Sequence, residues 1–320
     1  MRMKISTVAC IGAGLIGQGW ATVFALKCRH VILQDISPER LARSVEKIEQ
    51  NLEFMEKNKL IAIGAAERAA ATIRTTVDIA QAVQSADYVQ ESVPDDYALK
   101  TKVFGVMDAH APKHVLLASS ASGLKMTEIQ QSVNNPGRCL LVHPCLPVHL
   151  IPCVEITGGQ QTDPESVDTA RTFMEFLGKS PLVLNYEVPG HIINRLQAAL
   201  LREAMDLVER GVASAEDVDR AFRLGVGIRD PILGPLLRAH LAGDGIENFF
   251  QTYAQSYTYR FESMASWTSF PPSTAKAVAK SVHEMDIVRS QDLDEIKNWR
   301  DEMLVKIVGA MRENDKSNKV

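Results

Sequence analysis

The chain has 320 residues, 46% of them apolar and 23% charged, with a formal net charge of −4. This length suits two domains whose cores need no disulfide or metal staple. Nucleic-acid binding would need a cationic surface to displace counterions, and no basic stripe exists; no run of about 20 apolar residues argues for a membrane span.

Gly12, Gly14, Gly17 and Gly19 interrupt the apolar stretch that follows Arg2 and Lys4, which speaks against a signal peptide. From there to about residue 185, short β-rich runs alternate with amphipathic helical stretches. The runs are 7–11, 31–34, 86–90, 115–118, 138–142, 153–156 and 182–185. The helical stretches are 14–28, 38–57, 97–110 and 164–177. Several runs are continuously apolar, as parallel strands covered on both faces are. The alternation predicts an α/β, doubly wound, Rossmann-type sheet.

Beyond residue 187 the period changes. Ile192, Ile193, Leu196, Ala199, Leu200, Ala204, Leu207 and Val208 form one stripe of a long helix over 191–210. Further helices are expected at 214–224, 273–287 and 292–311, and the polar tail 312–320 is expected to fray. The expected organisation is therefore residues 1–188 as a nucleotide-binding domain and 189–320 as an all-helical substrate and dimerisation domain.

The first strand runs into Gly12-Ala13-Gly14-Leu15-Ile16-Gly17 and then a helix. In this GxGxxG context Gly12 permits the tight turn and Gly14 lets backbone approach a pyrophosphate. Gly17 lets helix and strand pack closely, and the helix N-terminus offers free N–H groups. Asp35 ends the second strand, 18 residues past Gly17. A carboxylate there accepts hydrogen bonds from a ribose diol and repels a 2′-phosphate, which favours NAD over NADP despite Arg40 nearby.

Ligands of such sheets bind beyond the carboxyl ends of the strands. Ser122 follows the fourth predicted strand, His143 the fifth, and Glu155 sits on the next, while Asn194 lies in the first turns of the long helix. Alcohol oxidation needs a base with a pKa near neutrality, which suits His. A carboxylate on its other ring nitrogen would fix the tautomer, and Ser122 and Asn194 could hold the substrate oxygen. On chemistry alone His149 and His191 compete with His143. Of the five cysteines, none forms a CxxC, and Cys145 and Cys153 flank the candidate site. Their plain reading is packing in a reducing cytoplasm.

Taken together, these residues resemble the 3-hydroxyacyl-CoA dehydrogenase superfamily. The resemblance is nearest to its short-substrate branch, which holds L-gulonate 3-dehydrogenase (lambda-crystallin) and L-carnitine dehydrogenase. It extends over Val93-Pro94-Asp95-Asp96 with Leu99-Lys100, the loop 119–123, and His143-Pro144 with Ile151-Pro152 and Val154-Glu155. Pro189-Gly190 with Asn194-Arg195-Leu196, Gly234-Pro235-Leu236 and Trp299-Arg300-Asp301-Glu302 complete it. It implies His143 as catalytic base, Glu155 as its partner, and Ser122 and Asn194 as substrate contacts. It also implies an NAD-contacting acid–lysine pair at Asp95 and Lys100, whose plain alternative is a helix cap beside a surface lysine. One departure stands out: relatives commonly carry Asn where this chain has Leu146, which has no hydrogen-bonding group.

A small hydroxy acid such as L-gulonate is the expected substrate, its carboxylate meeting Arg229; the plain alternative is a surface Arg229 paired with Asp230. Short-chain 3-hydroxyacyl-CoA and L-carnitine are the other substrates in view, although few aromatics are available to cage a quaternary ammonium. A non-catalytic, crystallin-like or NAD-storing role is the remaining alternative. The resemblance further implies a homodimer through the helical domain.

Overall fold

The computed structural model describes residues 5–317. Two compact units part between Arg195 and Leu196, within the helix that follows the expected boundary.

The first unit is built on an eight-stranded sheet: β1 (Thr7–Ile11), β2 (His30–Gln34), β3 (Ile73–Thr76), β4 (Tyr88–Glu91), β5 (Leu116–Ser119), β6 (Cys139–Pro144), β7 (Cys153–Gly158) and β8 (Ser180–Val183). Their order is β3-β2-β1-β4-β5-β6-β7-β8. The first six strands are parallel, and β7 turns back antiparallel to β6 because only eight residues join them, too few for a crossover helix. Its helices are α1 (Leu15–Ala25), α2 (Pro38–Lys57), α3 (Ala65–Ala70), α4 (Ile79–Val83), α5 (Tyr97–His110), α6 (Met126–Ile129) and α7 (Pro164–Phe176). Ser37 caps α2, accepting the Arg40 N–H at 3.1 Å with Pro38 in the first turn.

Alternate residues of β1 feed opposite faces of the sheet. Val8 and Cys10 join Trp20, Phe24, Tyr88 and Phe173 on one side, and Ala9 and Ile11 join Val89, Phe104 and Met107 on the other. Each fully buried large side chain contributes roughly 1.5–3 kcal/mol relative to exposure. The doubly wound sheet is thus as expected, with one strand added. β3 escapes the sequence pattern because, of Ile73-Arg74-Thr75-Thr76, only Ile73 is buried at this sheet edge.

The helix α8 (Ile193–Glu209) leads into the second unit, which holds α9 (Ala215–Ala221), α10 (Pro235–Ala242), α11 (Ile246–Ser263), α12 (Pro272–His283), α13 (Asp286–Ser290) and α14 (Leu293–Ser317). A wide π turn, Phe222–Val226, and the short turn Gly227–Arg229 follow α9. Helix α11 lacks a sequence signal because it is rich in Phe, Tyr, Thr, Ser and Asn, weak helix formers. The stretch expected as one helix over 273–287 is broken between α12 and α13 at Glu284 and Met285. The tail expected to fray continues α14 to Ser317 instead, and residues 318–320 lie outside the described residues.

Candidate active site

The strand order reverses between β1's neighbours, β2 on one side and β4 on the other, and a cleft of about 530 Å³ opens at their carboxyl ends. Its walls include Gly12, Gly14, Leu15, Ile16, Asp35, Arg40, Ser92, Asp95, Ser120, Ser122 and Leu146. Gly12 has φ +96°, and a Cβ there would stand 2.8 Å from the Ser92 carbonyl oxygen. A Cβ on Gly17 would stand 1.9 Å from the Gly12 carbonyl oxygen. By contrast Gly14, which begins α1, has nothing within 4 Å of its missing Cβ. The turn thus leaves a cradle over the first N–H groups of α1, which no side chain caps, and this fits a dinucleotide's pyrophosphate.

Asp35 stands at the far end of the same cleft. Its Oδ2 accepts the Ala13 N–H at 3.0 Å and its Oδ1 the Ser37 N–H at 3.2 Å, while Arg40 approaches to 3.7 Å. Each oxygen keeps a lone pair for a ribose hydroxyl.

Antiparallel register then does what spacing could not show. His143 on β6 lies directly opposite Glu155 on β7. The His143 Nδ1 donates to Glu155 Oε2 at 2.8 Å, and both side chains are buried. The other carboxylate oxygen accepts the N–H groups of Ile192 (2.7 Å) and Ile193 (3.0 Å) at the start of α8. Burial opposes ionisation of Glu155, but the bonds from His143, Ile193 and Ile192 outweigh it and hold the carboxyl below its usual range.

His191 reaches the same place. Its ring centroid lies 5.1 Å from that of His143, its Nε2 donates to the Ala121 carbonyl at 3.1 Å, and its buried Nδ1 has no partner. Burial pushes its pKa down, so it stays neutral, and it lacks a carboxylate partner. His143 is paired with an acid that can steady a proton it gains, and His191 is not.

The loop after β5 is fixed by three separate acceptor or donor groups. Ser119 Oγ donates to Glu91 at 2.5 Å, and Ser120 Oγ receives Trp20 Nε1 (3.1 Å) and Gln90 Nε2 (2.8 Å). Ser122 gives both its N–H (2.9 Å) and its hydroxyl (2.8 Å) to Asp95, and Asn194 Nδ2 reaches the Ser122 carbonyl at 3.4 Å. Lys100 is not a surface lysine, being 1% exposed. Its Nζ bonds Glu91 Oε1 at 2.7 Å and the Val93 carbonyl at 2.9 Å, with Asp95 at 3.4 Å. Of the expected acid–lysine pair, Asp95 therefore lines the cleft and Lys100 supports it from beneath; Asp96, not Asp95, caps α5. Glu91 and the Trp20–Ser120 bond carried no motif and were not anticipated.

Leu146 forms part of the cleft wall and is half exposed. Arg229 sits exposed in the second unit, and Asp230 pairs with Arg238 at 2.7 Å, which removes the alternative of an Arg229–Asp230 pair. Among the described residues no His, Cys, Asp or Glu cluster could hold a metal, and no helix is long and apolar enough to cross a membrane.

Residues 7–188 match the NAD-binding domain of 3-hydroxyacyl-CoA dehydrogenase, and residues 190–281 match its C-terminal domain. An L-carnitine dehydrogenase of Oceanobacillus iheyensis is 34% identical over 310 residues, 96% of this chain and 98% of that protein. Lambda-crystallin of Oryctolagus cuniculus is 30% identical over 307 residues, 96% of each. Among solved structures, an NAD+-dependent dismutase, 5-formyl-3-hydroxy-2-methylpyridine 4-carboxylic acid 5-dehydrogenase, superposes with a TM-score of 0.82 at 28% identity, covering 97% of this chain and 99% of that one. With a glycine turn shaped for a pyrophosphate, an acid at the ribose end and matches along both units, this chain is an NAD-binding member of the 3-hydroxyacyl-CoA dehydrogenase family.

Proposed function

We propose that the protein oxidises a secondary hydroxyl of a small hydroxy acid to the oxo acid, with L-gulonate as the first substrate to test. The observation that carries this reading is the buried 2.8 Å contact between His143 and Glu155. Because Nδ1–H is committed to the carboxylate, Nε2 is the nitrogen left to take the hydroxyl proton, and Glu155 stabilises the resulting imidazolium. Gly12, Gly14 and Asp35 would hold NAD, which would supply the hydride acceptor. Ser122 and Asn194 hold the substrate oxygen from the loop after β5, with Asp95 keeping Ser122 in place. Arg229 meets the substrate's carboxylate, so Arg229→Ala should raise KM and spare kcat.

L-carnitine is an equal second reading, supported by the dehydrogenases that share 34% identity along nearly the whole chain. A quaternary ammonium needs aromatic faces, and the face of Tyr257 is already covered by Arg260 at 4.5 Å. The carnitine reading therefore stands on its relatives rather than on a visible cage. A homodimer built through the helical unit, working in the cytoplasm, completes the proposal. It is supported by exposed Leu196, Leu200, Leu236, Phe250 and Trp299 on that unit and by five unpaired thiols.

NADH formation with L-gulonate, L-carnitine, L-3-hydroxybutyrate and 3-hydroxybutyryl-CoA tests the reading. Turnover of a free hydroxy acid supports it and names the substrate. Preference for the thioester, or silence across the panel while NAD binds, overturns it.

A further inference from the structure

Two of the five free thiols stand where the proposed chemistry makes no use of them. The β6–β7 register pairs His143 with Glu155 and Pro144 with Val154. Cys145 directly follows β6 and Cys153 begins β7, so the register continued by one step sets Cys145 opposite Cys153. Directly opposed residues of an antiparallel pair lie about 4.5–5.5 Å apart at Cα, inside the roughly 4.4–6.8 Å span of disulfides. Because side chains alternate between faces, the two thiols share the face of His143 and Glu155. Both are half buried, open to a small reagent.

A single cation acts on the pair. The ammonium of Lys179, only 9% exposed, is folded under the connecting loop, where it bonds the carbonyls of Val148 and Ile151 (the latter at 2.8 Å). The S–H of Cys145 and the Lys179 charge lower the pKa of Cys153, against burial and the Glu155 charge, while the same contact with Cys153 and burial push Cys145 up. Partial exposure is what opens a cysteine to oxidants. Cys10, Cys28 and Cys139 are buried, and burial raises all three thiols.

We propose that Cys145 and Cys153 form a hydroperoxide-responsive dithiol that closes to a reversible disulfide across the base of the β6–β7 loop. The Cys153 thiolate attacks one oxygen of the hydroperoxide; the O–O bond breaks, water or an alcohol leaves, and the sulfur becomes a sulfenic acid. The Cys145 sulfur then attacks that sulfur, the S–O bond breaks, water leaves with the thiol proton, and the S–S bond forms. Two electrons pass from the thiols to the peroxide. Drawing the sulfurs to bonding distance moves the ends of a loop whose first residue, Leu146, lines the cofactor cleft.

The test treats the full-length protein with hydrogen peroxide and maps thiols by mass spectrometry, a readout that does not depend on any substrate assignment. The expected product joins the Cys145 and Cys153 peptides, removes two of five titratable thiols, and is reversed by dithiothreitol. With a working substrate, turnover should fall at least tenfold and recover with the reductant. In Cys145→Ser, dimedone should trap a sulfenic acid on Cys153; in Cys153→Ser, Cys145 should react far more slowly. Loss of thiols without the cross-link, or equal reactivity of Cys10, Cys28 and Cys139, overturns the proposal. Peroxide resistance of Cys153 does so too.

Discussion

The two units bury their side chains very differently. In the sheet unit Trp20, Phe24, Tyr88, Phe104 and Phe173 are all but inaccessible, and charged groups such as Glu91, Lys100, Glu155 and Arg138 are buried with partners. In the helical unit Ala215, Gly243, Thr274 and Val308 are the buried ones among the described residues, while Leu200, Leu236, Phe250, Phe261 and Trp299 stay exposed. A groove lined by Phe222, Ile228, Ile232, Trp299, Met303 and Ile307 adds about 680 Å³ of unfilled space there. The sheet unit closes its own core and buries its polar groups with partners. The helical unit carries exposed apolar faces, which the proposed dimer would cover. Chemistry and assembly should therefore separate under mutation.

The largest separation comes from His143→Ala, expected to lower kcat about 10²–10⁴-fold while NAD binding by calorimetry and sedimentation behaviour stay those of the parent. Near-parental turnover would remove His143 as the base. Glu155→Gln keeps the shape but not the charge, and about a 10²-fold loss is expected. On the other side of the comparison, Leu200→Glu should shift the protein to monomer in sedimentation velocity and leave NAD affinity unaltered; a parental sedimentation coefficient for this variant, or a parent that is already monomeric, would break the contrast between the units. Asp35→Ala should weaken NAD roughly tenfold, about 1.4 kcal/mol, and narrow the preference over NADP. The smallest effect concerns pH. Glu155 is held below its usual range in the folded state, so its stabilisation is complete above the unfolded value and fades as pH falls through the folded one. The melting temperature of the parent should exceed that of Glu155→Gln by roughly 2–4 °C near neutrality, with the gap shrinking in acid. A gap that widened on acidification would show the sign to be wrong.

Oxidation of the Cys145–Cys153 pair would act within the sheet unit alone. It would sharpen the comparison if peroxide lowered turnover without changing the oligomeric state.

The sequence by itself determined the alternation of strand and helix, the glycine turn and the acid after β2. These are local matters, since strand period, turn chemistry and motif spacing are written in neighbouring positions. It could not rank His143, His149 and His191 on chemistry alone, because that ranking depends on which of them meets a carboxylate. The antiparallel register of β6 and β7 sets His143 against Glu155, while His191 is bonded to a carbonyl, and this supports the proposed role of His143. Lys100 reads as a surface residue on an amphipathic helix, yet the tertiary structure buries it against Glu91 and Asp95. Such pairings join residues from different strands and loops, so their energies exist only once the sheet has brought them together, and no local pattern encodes them.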